Sequence, residues 1–494
     1  MPPSVASTPV DWSAHGPETY NGIMTTRIAR PPGPPGIRLF AGMVARRDPT
    51  AYFTRIAEHH PRIAYVRLGR EHVYILNHPD LVHELFVVYG RKVRKGRALE
   101  RIRLLLGDGL LTSEGDLHRR QRRLIQPALH GERIAGYAEQ MVRTALSYDE
   151  RWRELTSRTE RPVVDMAREM SELTLTVVGE ALFGSDLRRV ATAVAEALGE
   201  LLGGFQRHLL PGADLLLQIP TPRRARLFDA VARLDRLVWD LIEERRGRPP
   251  GADLLSVLSQ TLGDDPEGAK LVRDETMTLL LAGHETTATA LTWTWWLLSS
   301  HPDVADWLHE ELDAWSADAA PSYADVERLH RTRAVLAEAM RLYPPSWVLG
   351  RRTLTDLELD GWTLPSGSLC VASQWVLHRD PRFWSAPLEF RPDRWLRHSQ
   401  NQPRPHTDGP DGSYDETTPG QPRGAYLPFG IGSRICVGRA FAWTEGTLVL
   451  ATLARRWAPR LAADQEVALL PAVTLRPRHG MRMELVPRTG RDGS

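Results

Sequence analysis

The stretch that most limits what this chain can become is LVRDETMTLLLAGHETTATALTWTWWLLSS, Leu271 to Ser300. As a helix it spans about 45 Å at 1.5 Å per residue and carries apolar residues on nearly every face, so no side of it is suited to water. Two environments accept such a helix, a bilayer and a large core. His284 and Glu285 stand at its centre, where a bilayer tolerates ionisable groups poorly, and the sequence offers no second long apolar span. A helix crossing the middle of a large core is therefore the expectation. The 494 residues, 42% of them hydrophobic, suffice to enclose it.

Around that helix the chain reads as mainly α with small β-sheets, an α+β class. Residues 1–29 are polar and proline-bearing, without a basic-then-apolar leader, and are expected to form a flexible tail. Order is expected from RPPGPPG (Arg30 to Gly36), with residues 30–494 as a single domain. HPRIAYVRLGREHVYILNHP (His60 to Pro79) reads as a β-hairpin, and helical periodicity dominates from there to Pro345. From Arg351 to Leu377 short β-like runs alternate with turns at Asp360-Gly361 and Pro365-Ser366-Gly367. Residues 396–424 lack apolar anchors and read as a long polar surface loop, after which a last helix is expected to start beside Cys436.

A net charge of +2 argues against nucleic acid as the main partner. Cys370 and Cys436, the two cysteines, are too few for a disulfide framework, which favours a reducing, cytoplasmic setting. Of the basic residues only Lys92, Lys95 and Lys270 are lysines, an arginine bias expected of a GC-rich bacterial genome.

FGIGSRICVG, Phe429 to Gly438, is the motif with the most chemistry in it. It lacks the third glycine of a dinucleotide fingerprint and the Lys-Ser/Thr of a phosphate loop, and one cysteine alone does not make a zinc site. What remains is a single thiolate presented near a helix N-terminus, in a loop whose glycines allow close backbone approach to a flat ligand. A haem iron suits that arrangement, with Arg434 available to a propionate and Phe429 packed against the ring.

The segment resembles the haem-binding signature of the cytochrome P-450 family, F-x-x-G-x-R-x-C-x-G, at every specified position. The resemblance implies the P-450 fold, with heme b (iron protoporphyrin IX) between the long central helix and the cysteine-loop helix and Cys436 as metal ligand. AGHETT (Ala282 to Thr287) is similar to the family's oxygen-binding stretch, which makes Glu285 and Thr286 the catalytic acid-alcohol pair for proton delivery. EAMR places Glu338 and Arg341 at i,i+3; alone that is a surface pair worth a few tenths of a kcal/mol. Here it resembles the family's E-x-x-R element, with Arg394 of FRPDRW completing a structural cluster. GDLHRRQRRL resembles the helix that reaches the propionates, which nominates His118 and Arg122. Arg351 resembles the family's other propionate arginine, with adjacent Arg352 as the alternative; Gly438 completes the cofactor set. Analogy places Leu280, Ala282, Gly283, Thr287, Trp347, Val348, Leu349 and Val473, in its Ala472-Val473-Thr474 turn, around the substrate pocket.

The implied activity is haem-thiolate monooxygenation of an apolar small molecule by O2, in bacterial natural-product metabolism of the terpenoid or polyketide kind. Electrons are expected from a separate ferredoxin or flavodoxin with its NAD(P)H-dependent reductase, docking at Arg119, Arg123 and Arg439 on the cysteine side. No transmembrane anchor is expected, and the state is expected to be monomeric. A peroxide-driven peroxygenase and a non-catalytic haem sensor are the competing readings; an intact Glu285-Thr286 weighs against the first and the lack of an output module against the second. Leu209 to Phe228 mixes apolar and basic residues, compatible with core packing or with shallow membrane contact.

Overall fold

The computed structural model describes residues 29–34, 48–187, 194, 197, 221–249, 251, 253–263, 265–314, 320–396 and 421–488. The expected N-terminal tail, most of the polar loop and the first part of the 209–228 segment lie outside the described residues.

The central helix runs Pro266–Ser300, 35 residues, and begins five positions before the expected start. The reason is local. Asp265 caps it by accepting from the backbone N–H groups of Glu267 and Gly268, and Pro266 fills the first turn, where no N–H is needed. Its faces are covered by the helices Met166–Phe183, Leu254–Leu262, Pro222–Arg246, His330–Leu342 and Arg439–Ala454. Burial on almost all sides explains how it dispenses with a polar face. Among the described residues no helix is long and apolar enough to cross a membrane.

The aromatic end of this helix is fixed by specific contacts. The Trp293 ring stacks on Tyr343 at 4.5 Å between centroids, and its indole N–H donates to the Leu475 carbonyl at 2.7 Å. Trp295 meets Trp152 edge-on, and Trp152 meets Trp457 in the same way.

A five-stranded sheet lies to one side, in the spatial order Ile63–Leu68, Glu71–Leu76, Leu369–Ala372, Leu349–Thr353 and Val93–Lys95. The first two strands form the expected hairpin, in register from Ile63 opposite Leu76 to Leu68 opposite Glu71. The second pairs in parallel with Leu369–Ala372, which puts Tyr74 beside the fully buried Cys370. Leu357–Leu359 and Trp362–Leu364 make a tight hairpin whose turn residues, Asp360 and Gly361, both have positive φ, 54° and 74°. A further hairpin, Leu469–Pro471 with Leu475–Pro477, reaches back to the central helix.

Candidate active site

The cysteine loop closes on itself through backbone bonds. Cys436 N–H donates to the Phe429 carbonyl at 2.9 Å, Gly430 N–H to Leu427 at 3.0 Å and Ile435 N–H to Gly432 at 3.0 Å. Gly430 and Gly432 have φ of 75° and 76°, and a Cβ on Gly432 would stand 2.4 Å from the Phe86 carbonyl oxygen, so only glycine lets the loop lie against that segment. Beneath it, His378 Nε2 accepts from Leu427 N–H at 3.0 Å, and Arg122 Nη1 donates to the Ile435 carbonyl at 2.7 Å.

The following helix begins at Arg439, with Gly438 as its N-cap, so Cys436 stands just before the helix rather than at its first residue. Cys436 is exposed by surface area because it borders an open cleft of about 420 Å³, lined also by Arg122, Arg333, Arg439 and Trp443. Atoms crowd it on its other sides, and this burial pushes the thiol up, while the Gly438 N–H and the Arg122 and Arg439 guanidiniums pull it back down.

On the central helix one row of residues is left uncovered: Ala282 is exposed, and Gly283 and Thr286 are half-buried. A little farther along, Ala290 joins Trp443, Met340 and Leu336 in a cluster against which Phe429 packs. The helix therefore rests on the cysteine-loop elements at Ala290 and is open at Ala282, Gly283 and Thr286. A thiol in a glycine loop and an open stretch of small residues on the central helix are surfaces that suit a flat group.

The edge of the loop is basic. Arg351 is buried, lies 4.6 Å over the Phe86 ring, and is lowered to about 10 by burial and by neighbouring Arg434. Arg352 faces outward and pairs with Glu100 and Glu71, so of the two arginines Arg351 is the one turned to the site. Arg434 pairs with Glu114 and donates to the Ser113 carbonyl at 3.3 Å. His118 is buried and lowered to about 3, first by desolvation and then by Arg434, Lys95, Arg122 and Arg351; it offers a neutral N–H rather than a charge. A single thiol, a glycine wall and a desolvated cationic edge form a donor set that fits a haem with its two carboxylates.

A family model described as Cytochrome P450 matches residues 31–478. The chain belongs to the cytochrome P450 family. It is similar to "Cyclooctatin synthase" of Streptomyces melanosporofaciens, 38% identical with 90% of this chain and 91% of the relative covered. It is also similar to "Cyclooctat-9-en-7-ol 5-monooxygenase" of the same organism, 34% identical over 81% of this chain and 82% of the relative. "Pentalenene oxygenase" of Streptomyces avermitilis is 32% identical over 90% and 94%. A solved structure, "Crystal structure of cytochrome P450DA heme domain", matches with a TM-score of 0.77 at 27% identity, covering 93% of this chain and 98% of that one. This chain is thus a cytochrome P450 monooxygenase, an oxygen-incorporating oxidoreductase whose family cofactor is haem iron.

In this P450 the cluster expected around Glu338 comes together. Glu338 and Arg341 are both fully buried; Arg341 Nε donates to Oε2 at 2.9 Å and Nη2 to Oε1 at 2.8 Å, and Arg394 Nε reaches Oε1 at 3.1 Å. Arg341 also donates to the His378, Pro387 and Glu389 carbonyls, tying its helix to the segment before the cysteine loop.

The pocket residues expected by analogy have differing surroundings. Leu280 and Thr287 are buried. Trp347 packs edge-on against Phe53 in the cluster under the sheet, and its indole N–H donates to the Ala472 carbonyl at 2.9 Å. Val348, Leu349 and Val473 are half-buried.

The two members of the expected acid-alcohol pair bond to different partners. Glu285 Oε1 accepts from Thr474 Oγ1 at 2.9 Å and lies 3.2 Å from Arg476 Nε, while the Thr286 hydroxyl donates to the Ala282 carbonyl at 2.9 Å. Lys95, Glu114, Arg476 and Glu445 escaped the sequence reading. Two had a local signal: Lys95 is a lysine in an arginine-rich chain, and Glu445 interrupts the apolar helix after the cysteine. Burial pushes the Glu445 carboxyl well above the carboxylate range, with the Thr287 hydroxyl pulling the other way.

Proposed function

We propose that this cytochrome P450 hydroxylates a cyclic, unsaturated terpenoid-type molecule, using heme b and electrons from a separate ferredoxin or flavodoxin. What supports the reading is the Cys436 thiol in its glycine loop, together with the uncovered Ala282, Gly283 and Thr286 on a central helix that packs against the same elements at Ala290. Cys436 would bind the iron; Arg351, Arg434, Arg122 and His118 would hold the two haem carboxylates. When bound, the haem supplies oxygen activation.

The chain's own residues supply the rest. Ala282 and Gly283, with no side chain beyond Cβ, leave room for an apolar substrate along the uncovered stretch. Thr286 presents a hydroxyl there, and Glu285 is the acid able to bring protons to it. The helix of Glu445 adds a carboxyl whose hold on its proton burial strengthens, next to Thr287.

The names of the relatives support the substrate class, since pentalenene and a cyclooctatenol read as a cyclic olefin and an unsaturated cyclic alcohol. Arg119 and Arg123 are exposed on the helix Gly115–Ile125, and Arg439 lines the cleft at Cys436; positive charge there supports docking of an acidic electron carrier. A monomeric, cytoplasmic enzyme is part of the same reading.

The test is the absorption spectrum of the dithionite-reduced protein with carbon monoxide. A strongly red-shifted Soret band, lost in Cys436→Ala, is expected; haem-replete protein without that band would overturn the reading. Titration with cyclic terpene olefins should then produce a low-to-high spin shift.

A further inference from the structure

Trp443 is buried, lines the same cleft as the Cys436 thiol, and holds its ring 5.9 Å from Phe429 of the cysteine loop. It belongs to a cluster with Ala290, Leu336, Ala337 and Met340, and Trp395 packs against that same cluster from outside. Trp395 in turn lies 4.5 Å from the Tyr426 ring and 5.8 Å from Trp384. Trp395 and Tyr426 are half-buried, so a series of rings that begins beside the thiol ends in part at the surface. Apart from sulfur groups, indole and phenol are the side chains that give up a single electron most readily.

The surroundings grade these rings by how easily each is oxidised. The Trp443 indole N–H has no acceptor among the described residues, and the Arg333 guanidinium stands over its ring at 6.0 Å, where a cation holds the π electrons back. Trp395 differs. Its N–H donates to Glu338 Oε2 at 2.8 Å, a bond to a carboxylate that strengthens as the ring becomes positive. Trp384 is the opposite case: it is fully buried, its N–H donates to the uncharged Leu377 carbonyl at 3.0 Å, and Arg341 and Arg394 face its ring at 5.0 Å and 5.9 Å. An electron vacancy on Trp443 therefore runs downhill to Trp395 and finds Trp384 closed to it. Tyr426 is the ring left beside Trp395, with its hydroxyl donating to the Ala337 carbonyl at 3.0 Å.

We propose that Trp443, Trp395 and Tyr426 form a one-electron route from the cysteine side to the surface, which gives this enzyme a second activity, the peroxide-driven oxidation of small soluble reductants such as ascorbate. The inference rests on the haem-thiolate reading of Cys436. Trp443 yields an electron to the haem once peroxide has oxidised it and recovers one from Trp395, Trp395 recovers one from Tyr426, and Tyr426 from ascorbate. The Tyr426 hydroxyl proton leaves when the ring is oxidised and returns when it is reduced. Two such passages take two electrons from one ascorbate; with two protons, one from ascorbate and one from solvent, hydrogen peroxide becomes two waters and ascorbate becomes dehydroascorbate. The route disposes of oxidising equivalents that no substrate has used.

The experiment mixes the haem-loaded full chain with hydrogen peroxide, without substrate, and freezes it within milliseconds for electron paramagnetic resonance. The parent should show an organic radical whose hyperfine structure changes when the protein carries ring-deuterated tryptophan or tyrosine, and should oxidise ascorbate steadily. Trp443→Phe and Trp395→Phe should lose the radical and the ascorbate oxidation and bleach faster in peroxide. Tyr426→Phe should lose the tyrosine component and slow the ascorbate reaction. Trp395→Tyr keeps an oxidisable ring and should keep that reaction, while Trp384→Phe should match the parent. Variants are compared at equal carbon monoxide band, and one reading needs no variant: peroxide without ascorbate should leave added oxygen on Trp395 and Tyr426 before Trp384, by mass spectrometry of the parent's peptides. Parent-level radical and ascorbate oxidation in Trp443→Phe or Trp395→Phe, loss in Trp384→Phe alone, or equal peptide oxidation at all three rings overturns the route while the carbon monoxide band stays intact. Absence of that band in the parent overturns the haem-thiolate reading itself.

Discussion

Glu338 shows how much a single buried carboxylate can organise. Besides Arg341 and Arg394 it accepts from the Arg391 N–H at 3.0 Å and the Trp395 indole N–H at 2.8 Å. Neutralising it strands a fully buried guanidinium, which costs about 3–5 kcal/mol. Glu338→Gln should therefore lower the urea unfolding midpoint sharply and purify with little haem, measured as the haem-to-protein ratio. Gly432→Ala is expected to fail at a different step. Its Cβ would collide with the Phe86 carbonyl and hold alanine at positive φ, so the global fold should persist while the carbon monoxide band moves from its thiolate to its neutral-thiol position. Both residues were legible in the sequence, because the motifs that carry them are local. Their counterparts were not: Glu114 lies 320 positions from Arg434 and Thr474 lies 189 from Glu285, separations at which no periodicity in the chain connects donor and acceptor.

The strand Val93–Lys95, the segment 107–114 and the central helix are joined in part through the backbone of one residue, Leu110. Lys95 Nζ donates to the Leu110 carbonyl at 2.7 Å, and the Leu110 N–H donates to Glu275 Oε2 at 2.9 Å, so opposite charges grip the two ends of that residue's backbone. Burial lowers Lys95 to about 7, with Arg434 adding to it, and raises Glu275 to about 7. For Glu275 the folded state binds more protons than the unfolded between 4.5 and about 7; its contribution is complete below 4.5 and is lost as pH rises through 7. For Lys95 the folded state binds fewer protons between about 7 and 10.5, so its contribution is complete above 10.5 and is lost as pH falls to 7. The two contributions are both smallest near neutrality. In urea titrations the difference in unfolding free energy, parent minus Glu275→Gln, should fall between pH 5 and pH 7, the parent losing stability relative to the variant as pH rises. The helices and hairpins themselves were legible from period and turn residues. This grip was not, since it consists of side chains bonded to the backbone of a segment whose sequence carries no mark of it.

Acid response is a property of the whole molecule. His118 and His378 are lowered to about 3 and His309 to about 4, in each case chiefly by burial. Depressed folded values mean that all three contribute stability fully above the unfolded value of 6.5, and that it is lost progressively as pH falls toward 4 and then 3. Glu275 works against them down to 4.5, because it gains a proton more readily folded than unfolded. Net uptake on unfolding from these four groups therefore approaches two protons near pH 5, a slope of about 2.7 kcal/mol per pH unit. His378 gives this slope a functional meaning. Its Nε2 is the acceptor for Leu427 N–H, and a protonated ring cannot accept that bond, so the acid that destabilises the fold also removes the support under the cysteine loop. Haem release and unfolding should then coincide on lowering pH from 6.5 to 4, followed together by Soret absorbance and far-ultraviolet circular dichroism. Haem leaving well before the helices melt would show that the loop is held mainly by Arg122 and its glycine turns, with His378 a bystander.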